Sequence, residues 1–403
     1  MNSDFVTQLT NHYSAPLSDR DKEMMEYVSP GGNWQDIPED FPSDRISQIY
    51  ESYRAGKGSR STYYGRLDPT EPSYTISTYF NRPGNGCNVH PEQTRAMSIR
   101  EAARFQSFPD TFEFLQTQTS MHEQVGNAVP PLLARAIGEH LPGTTFVDLF
   151  AGAGGLSHGL EQAGLECVFA ADNDDYACDT HRHNMPDTRV EEIDLGTEEA
   201  PEQIVTILED MGVLEEVDLV VGGPPCQGYS HANERNPDDP RNALVGNFQD
   251  CIEEINPEGF LMENVRGLKT IANGDLFDRV KQEFRELGYD IEWDLLRAEE
   301  YGVPQKRRRI FVAGTREGDV DLLPHEPLFD DNDASKPSVI TVGDAIGDLP
   351  DATVDELHDT TTYDSEPVHP YQKYCRDVYA FDEMYEELCE QEDVMEQKRL
   401  GSY

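Results

Sequence analysis

A thiol, a carboxylic acid and a guanidinium group in this 403-residue chain have the chemistry of covalent attack on an electron-poor ring. Cys226 stands in Gly222-Gly-Pro-Pro-Cys-Gln-Gly-Tyr-Ser230, behind two prolines and after the strand pattern Val217–Val221. The prolines stiffen the backbone and end a ladder, so the thiol is expected on a loop at a strand's carboxyl end. Open α/β sheets bind their ligands there. Glu263 closes another strand pattern, GFLMENV (259–265), and the arginine run of QKRRR (305–309) opens a third. In such a set the thiolate adds to a ring carbon, the acid hydrogen-bonds the ring nitrogen, and the arginine steadies the thiolate and a ring carbonyl. Each group alone could equally be a buried small side chain, a helix cap or a surface run. Three strand ends agreeing argues against all three at once.

A second set has the pattern of a cofactor site. Asp148, Phe150, Ala151, Gly152, Gly154, Gly155 and Leu156 form a glycine-rich turn between strand and helix patterns, where a ligand can approach backbone. Asp172, with Asn173 after it, ends the next strand pattern, at the distance of a ribose-binding carboxylate. Asp194 and Leu195 end the third and are placed to meet an adenine. Spacing alone also allows a dinucleotide. Asp148 ahead of the glycines favours a sulfonium or ammonium ligand over a pyrophosphate, which a carboxylate repels.

The elements that must position these groups alternate strand and helix from residue 145 to about 316. Strands are expected at 145–150, 166–171, 217–221 and 259–265, with a final pair over 290–315; helices are expected at 155–163, 174–184, 243–256 and 274–287, with IVTILEDM helical as well. That rhythm predicts an α/β, Rossmann-like, doubly wound and mostly parallel sheet with a smaller second lobe. Ahead of it, Ser98 caps a helix through 108, with Glu101 at its third position, and a further helix covers 129–140. Residues 1–90 are turn-rich, with short strands around Tyr74–Tyr79. The acidic stretch at the carboxyl end reads either as an acidic helix or, the preferred expectation, as a solvated face or tail.

Charge is the other pronounced property. The chain has 78 acidic and 32 basic residues, a formal net charge of −46, with few lysines. Hydrophobic blocks recur throughout, which excludes a wholly disordered acidic chain, and the pattern suits concentrated salt, where screening relieves self-repulsion. Composition alone argues against a nucleic-acid partner. The seven cysteines form no CxxC pair and no metal spacing with the eleven histidines, so no metal is expected. No leader or long apolar run is evident, which leads to an expectation of a cytoplasmic protein with no membrane span.

Taken in order, these motifs resemble those of the DNA (cytosine-5)-methyltransferases. DLFAGAGG, Asp172, Asp194, GGPPCQGYS, DPRN (Asp239–Asn242), ENV and YGVPQKRRRIF (Tyr301–Phe311) match family motifs, as do SIREAARFQSFPD (Ser98–Asp110) and QVGNAVPP (Gln124–Pro131). The resemblance implies S-adenosylmethionine as cofactor, S-adenosylhomocysteine as product and double-stranded DNA as substrate. A cytosine flipped from the duplex would be attacked by Cys226 and contacted by Glu263, Arg307 and Arg309. It also implies that Pro224, Asn127 and Val129 join the cofactor residues, and that Gln227, Ser230 and Arg241 are DNA-contact candidates. Arg100 and Arg104 are expected to pack helix and lobe. Asp172 replaces the glutamate of many relatives, which shortens the reach toward the ribose.

The order departs from the family: its last two motifs precede its first. The chain is therefore expected to be circularly permuted. Residues 1–93 are expected as part of a target-recognition lobe, 94–141 as permuted catalytic motifs, 142–316 as the cofactor-binding and catalytic core, and 317–403 as the link to, and rest of, the recognition lobe with an acidic tail. Target reading needs Arg, Lys, Asn or Gln at base edges, and a basic island of Arg54, Lys57, Arg60 and Arg66 supplies candidates, with Arg82 and Asn85 second. A monomer is expected, with a cognate restriction endonuclease as a potential partner in the host. An NAD-dependent oxidoreductase fits the spacing but leaves Cys226, Glu263 and the arginines without a shared purpose. A transfer RNA methyltransferase would use the same catalytic loop on RNA, with a different recognition lobe. A non-catalytic DNA-binding module would have no need of an intact Cys226, Glu263 and glycine-rich turn.

Overall fold

The computed structural model describes residues 8–57, 62–225, 243–316, 321–354 and 360–400. The chain forms two compact units: one of Met1–Asn127, Gly302–Lys306 and Leu328–Tyr403, the other of Ala128–Tyr301 and Arg307–Pro327. The second holds a seven-stranded sheet. In chain order its strands are β1 (Thr145–Leu149), β2 (Glu166–Asp172), β3 (Arg189–Glu192), β4 (Leu219–Gly222), β5 (Gly259–Val265), β6 (Asp290–Arg297) and β7 (Arg308–Thr315). In space they run β6-β7-β5-β4-β1-β2-β3. Only β7 is antiparallel to its neighbours. This is the α/β sheet that the alternating pattern predicts, with an order that reverses beside β1 and β4.

The middle strands are apolar because both faces are covered. Phe146, Val147, Leu149, Phe169, Val220, Phe260 and Met262 are all buried. Helices α1 (Pro131–Gly138), α2 (Gly155–Gln162), α3 (Asp175–Asn184), α4 (Ala200–Met211), α5 (Ala243–Ile255) and α6 (Asp275–Glu286) belong to the same unit. α1 and α2 touch through glycine: a Cβ on Gly159 would lie 2.2 Å from the Pro131 carbonyl oxygen, and one on Gly138 2.7 Å from Ala163 Cβ. Between α1 and β1 the chain turns at Gly143, with φ +81°, and the Asp218 carboxylate accepts from Thr144 N at 2.6 Å and Thr145 N at 3.1 Å.

The first unit has two-residue ladders in place of a continuous sheet. Gln8–Leu9 pairs with Thr361–Thr362, Tyr13–Ser14 with Thr353–Val354, Gly65–Arg66 with Cys87–Val89, and Ser73–Tyr74 with Gln305–Lys306. Its helix Ile99–Phe105 has the expected capping box, Ser98 accepting from Glu101 N and Glu101 accepting from Ser98 N. Buried charges join distant segments. Arg104 binds Asp110 and Asp348, Arg376 binds Asp348, and Arg100 donates to the carbonyls of Pro109 and Phe112. Arg100 and Arg104 therefore pack helix and lobe.

Two expectations are corrected. The acidic carboxyl-terminal segment forms a helix, Phe381–Leu400, whose first half is anchored: Phe381, Met384 and Leu388 are buried, and Glu387 pairs with Lys373 at 2.7 Å. Its charge concealed an apolar face too sparse to stand out. The strand near Tyr74–Tyr79 shrinks to Ser73–Tyr74, the only part that finds a partner. The compact unit holding the sheet runs from Ala128, inside QVGNAVPP.

Candidate active site

The carboxyl ends of the central strands lie in register. Gly222 of β4 faces Leu149 of β1 on one side and Met262 of β5 on the other. The glycine-rich turn, the proline-rich loop and Glu263 thus leave the sheet along one edge. Gly222 itself is dictated by packing, since a Cβ there would lie 2.1 Å from the Leu149 carbonyl oxygen.

Glu263 and Arg309 meet across the β5–β7 pair, with Arg309 Nε 2.9 Å from Glu263 Oε1 and both side chains mostly buried. Burial pushes the Glu263 carboxyl above its ordinary value, while Arg309 and then Arg307 pull it back. The other oxygen, Oε2, lies 3.2 Å from where a Cβ on Gly223 would stand. The acid therefore sits against the loop that leads to Cys226. Arg307 is buried, and its carbonyl accepts from Ala298 N at 2.8 Å.

Asn264 was only part of a motif in the sequence, and the structure gives it a task. Buried, it donates through Nδ2 to the Pro224 carbonyl at 3.0 Å and accepts from Val265 N at 2.8 Å. It ties the end of β5 to the segment that leads to Cys226. Cys226, Gln227, Ser230, Arg241 and Arg60 lie outside the described residues. Six other cysteines are free thiols, and burial pushes those of Cys87, Cys178 and Cys251 up to about 12, which makes them poor nucleophiles.

The glycine-rich turn is shaped for close approach. Phe150 holds φ +60°, a conformation that costs a bulky residue about 1–3 kcal/mol and marks functional backbone. Gly152, at φ +55°, has open space where a Cβ would stand, and Gly154, at φ +92°, would put one 3.0 Å from the buried His181 ring. Asp172 accepts from Gly152 N at 2.8 Å and from Asp174 N at 2.9 Å, bracing the turn while keeping lone pairs to offer. Burial raises its pKa, against the pull of those N–H groups. Asn173 and Asp194 are exposed beside it, and Asp194 accepts from Gly196 N at 2.9 Å.

Asp148 corrects the sequence reading. It is fully buried, takes a 2.5 Å hydrogen bond from Ser157 Oγ, and faces no solvent. It braces the turn from below and does not present a carboxylate beside a ligand. Desolvation pushes its pKa up to about 7. Its Oδ1 has no hydrogen-bond partner among the described residues. Ala151, Leu156, Leu195, Val129 and Pro224 are buried, so they can offer a ligand backbone more than side chain, whereas Asn127 is exposed. Positive-φ glycines, open space over Gly152 and the Asp172 carboxylate bracing the turn fit a nucleoside-bearing cofactor.

The basic candidates separate. Arg66 is buried and donates to the carbonyls of Val28, His90, Gln93 and Met25, at 2.7 to 3.0 Å. With its guanidinium consumed by backbone it is a staple, and it is withdrawn as a DNA reader. Arg54 is exposed but paired with Glu39. Lys57 and Asn85 are exposed, and so is Arg82, whose guanidinium lies 5.7 Å from the centre of the Tyr79 ring. Among the described residues no cluster of His, Cys, Asp and Glu could hold a metal, and no helix is long and apolar enough to cross a membrane.

The family model for C-5 cytosine-specific DNA methylase matches residues 4–142 and 144–399. The chain belongs to that family. As a C-5 cytosine-specific DNA methylase family member it is 36% identical over 249 residues to the Type II methyltransferase M.AgeI of Thalassovita gelatinovora, covering 57% of each chain. To the Type II methyltransferase M.XorII of Xanthomonas oryzae pv. oryzae it is 40% identical over 210 residues, covering 51% of this chain and 46% of that one. The chain spans about half the length of these curated relatives. A putative DNA modification methyltransferase encoded in an E. coli prophage is 29% identical, with a TM-score of 0.45, over 57% of this chain and 63% of that one.

Proposed function

We propose that this protein is a DNA (cytosine-5)-methyltransferase that attacks a flipped cytosine in double-stranded DNA through Cys226. The observation that carries the reading is the Glu263–Arg309 pair, set against Gly223 at the aligned ends of β4 and β5. A carboxyl raised by burial keeps a proton for the ring nitrogen N3 as negative charge develops on the base. Arg309 and Arg307 supply positive charge beside the thiolate and the base carbonyl. The thiolate of Cys226 adds to C6, which makes C5 nucleophilic. C5 then takes a methyl group, and loss of its proton to a base with departure of the Cys226 thiolate from C6 restores the aromatic ring.

S-adenosylmethionine, when bound, supplies an electrophilic methyl group. Asp172 would take the ribose hydroxyls, Asp194 and Phe150 the adenine, and the backbone of Gly152–Gly155, with Asn127, Val129 and Pro224, the remainder. Arg82, Asn85 and Lys57 are the described base-reading candidates.

The same proposal includes a circular permutation. The family match falls into two stretches separated at residue 143, and the Pro142–Gly143 link joins α1, packed on α2, to β1. A helix and a strand whose ends lie close need only a short bridge. The net charge of −46 supports salt adaptation, and the Type II names of the relatives support a restriction partner.

The test is transfer of labelled methyl groups to DNA and to RNA in molar salt. The expected result is 5-methylcytosine in DNA from the wild type and none from Cys226→Ala. Transfer retained by the alanine variant, or directed to RNA alone, overturns the reading.

A further inference from the structure

The chain leaves the sheet unit after Tyr301, spends Gly302–Lys306 in the first unit, and returns at Arg307. That short excursion is held with unusual density. The side chain of Gln305, fully buried, accepts from Ile76 N at 2.9 Å and donates to the Phe105 carbonyl at 3.0 Å and to Gln106 Oε1 at 2.8 Å. Gln106 in turn donates to the Val125 carbonyl at 2.6 Å. Main chain on both sides is fixed as well: Ser73 N donates to the Pro304 carbonyl at 3.0 Å, Thr75 Oγ1 to the Lys306 carbonyl at 2.7 Å, and Lys306 Nζ pairs with Glu71 at 2.7 Å. Gly126 completes the arrangement, since a Cβ there would lie 2.6 Å from Thr78 N.

One amide therefore binds three segments that are far apart in sequence: the stretch 73–78 leading to Tyr79 and Arg82, the helix Ile99–Phe105, and the start of the arginine strand. None of its hydrogen bonds is needed to hold β7 to its neighbours, which is done within the sheet.

We propose that Gln305 is a positioning residue that sets the start of the arginine strand by anchoring it to segment 73–78 and helix Ile99–Phe105. The functional part of this inference rests on the methyltransferase reading. Arg307 and Arg309 follow Gln305 by two and four residues, so an unanchored approach leaves their entry into β7 loose. Arginines that wander by a fraction of an ångström lose most of their electrostatic value at the reacting base.

The test uses the full chain and two readouts. Gln305→Met keeps the shape and removes the hydrogen bonds. Thr75→Val and Thr75→Ser probe the exposed edge of the same link without a buried change. Hydrogen exchange is expected to rise at least tenfold at the amides of 307–311 in Gln305→Met while those of Thr145–Leu149 stay protected, a result independent of activity. In an active wild type, kcat is expected to fall at least tenfold and the pH profile to shift, with cofactor Kd within twofold. Thr75→Val is expected to follow in the same direction and Thr75→Ser to match the wild type. Unchanged exchange at 307–311, or a rise spread equally over β1, overturns the inference. So does kcat within twofold of an active wild type. If Gln305→Met does not fold, the threonine pair decides: identical exchange at 307–311 in Thr75→Val and wild type overturns it. An inactive wild type counts against the methyltransferase reading alone, and the exchange data still judge Gln305.

Discussion

Arg309 Nε stands 2.9 Å from Glu263 Oε1, joining two motifs that come from separate strand ends. The pair gives a buried carboxyl a close counter-charge. Without Arg309 the acid would keep only the pull of Arg307 against its desolvation.

Replacing Arg309 by Gln removes the largest influence that lowers the Glu263 pKa, so the carboxyl moves further upward. The protonated acid is then kept to higher pH. Single-turnover methyl transfer is expected to show its pH-dependent fall displaced to higher pH, with a maximum rate at least tenfold lower. A fall at the wild-type pH would separate Glu263 from the proton on N3.

Asp148 makes a pH prediction for stability. Its pKa of about 7 in the fold lies above the unfolded value near 4, so the native state binds more protons across that interval. Its contribution is fully present below about pH 4 and is lost as pH rises through about 7. Asp148→Asn removes that loss and should flatten the fall in stability between pH 5 and 8, by up to about 2–4 kcal/mol. Chemical denaturation at several pH values checks it; an unaltered slope would show that burial of Asp148 carries no such cost.

Asn264→Leu leaves the Pro224 carbonyl without its donor, at a cost of about 1–3 kcal/mol. Because that carbonyl lies two residues before Cys226, kcat is expected to fall at least tenfold while cofactor Kd stays within twofold. Equal losses in both would make Asn264 a general structural residue.

Arg66→Ala and Arg82→Ala should behave in opposite ways. The first strips four backbone carbonyls of a buried partner and is expected to destabilise the protein by about 2–4 kcal/mol. The second, at an exposed site, should change stability by less than about 0.5 kcal/mol yet weaken DNA binding and reduce its salt dependence. Melting curves and binding titrations separate them.

Much of the sheet unit was legible because its signals are local. Apolar runs of strand length marked β1, β4 and β5, and the motifs placed Glu263 near the end of β5 and Arg309 at the start of β7. Capping chemistry gave Ser98 and Glu101. What stayed hidden depends on partners far along the chain. Arg66 reads as part of a basic island until four carbonyls, none adjacent in sequence, are found around it. Asn264 and Gln305 are ordinary amides until the fold brings Pro224 and Phe105 to them. Asp148 was assigned to the right turn but to the wrong side of it, since type and spacing do not tell whether a carboxylate faces a ligand or the core.

The central claim is that Cys226 forms a covalent bond to C6 of a target cytosine, and trapping that adduct tests it most directly. Duplex DNA carrying 5-fluorocytosine at the methylated site, once this has been mapped on host DNA, blocks the final loss from C5. With S-adenosylmethionine present, the account predicts a denaturation-resistant protein–DNA complex whose cross-linked peptide contains Cys226, absent in Cys226→Ala. A complex that maps to another residue, or methylation of ordinary cytosine with no adduct on the fluorinated duplex, would contradict it.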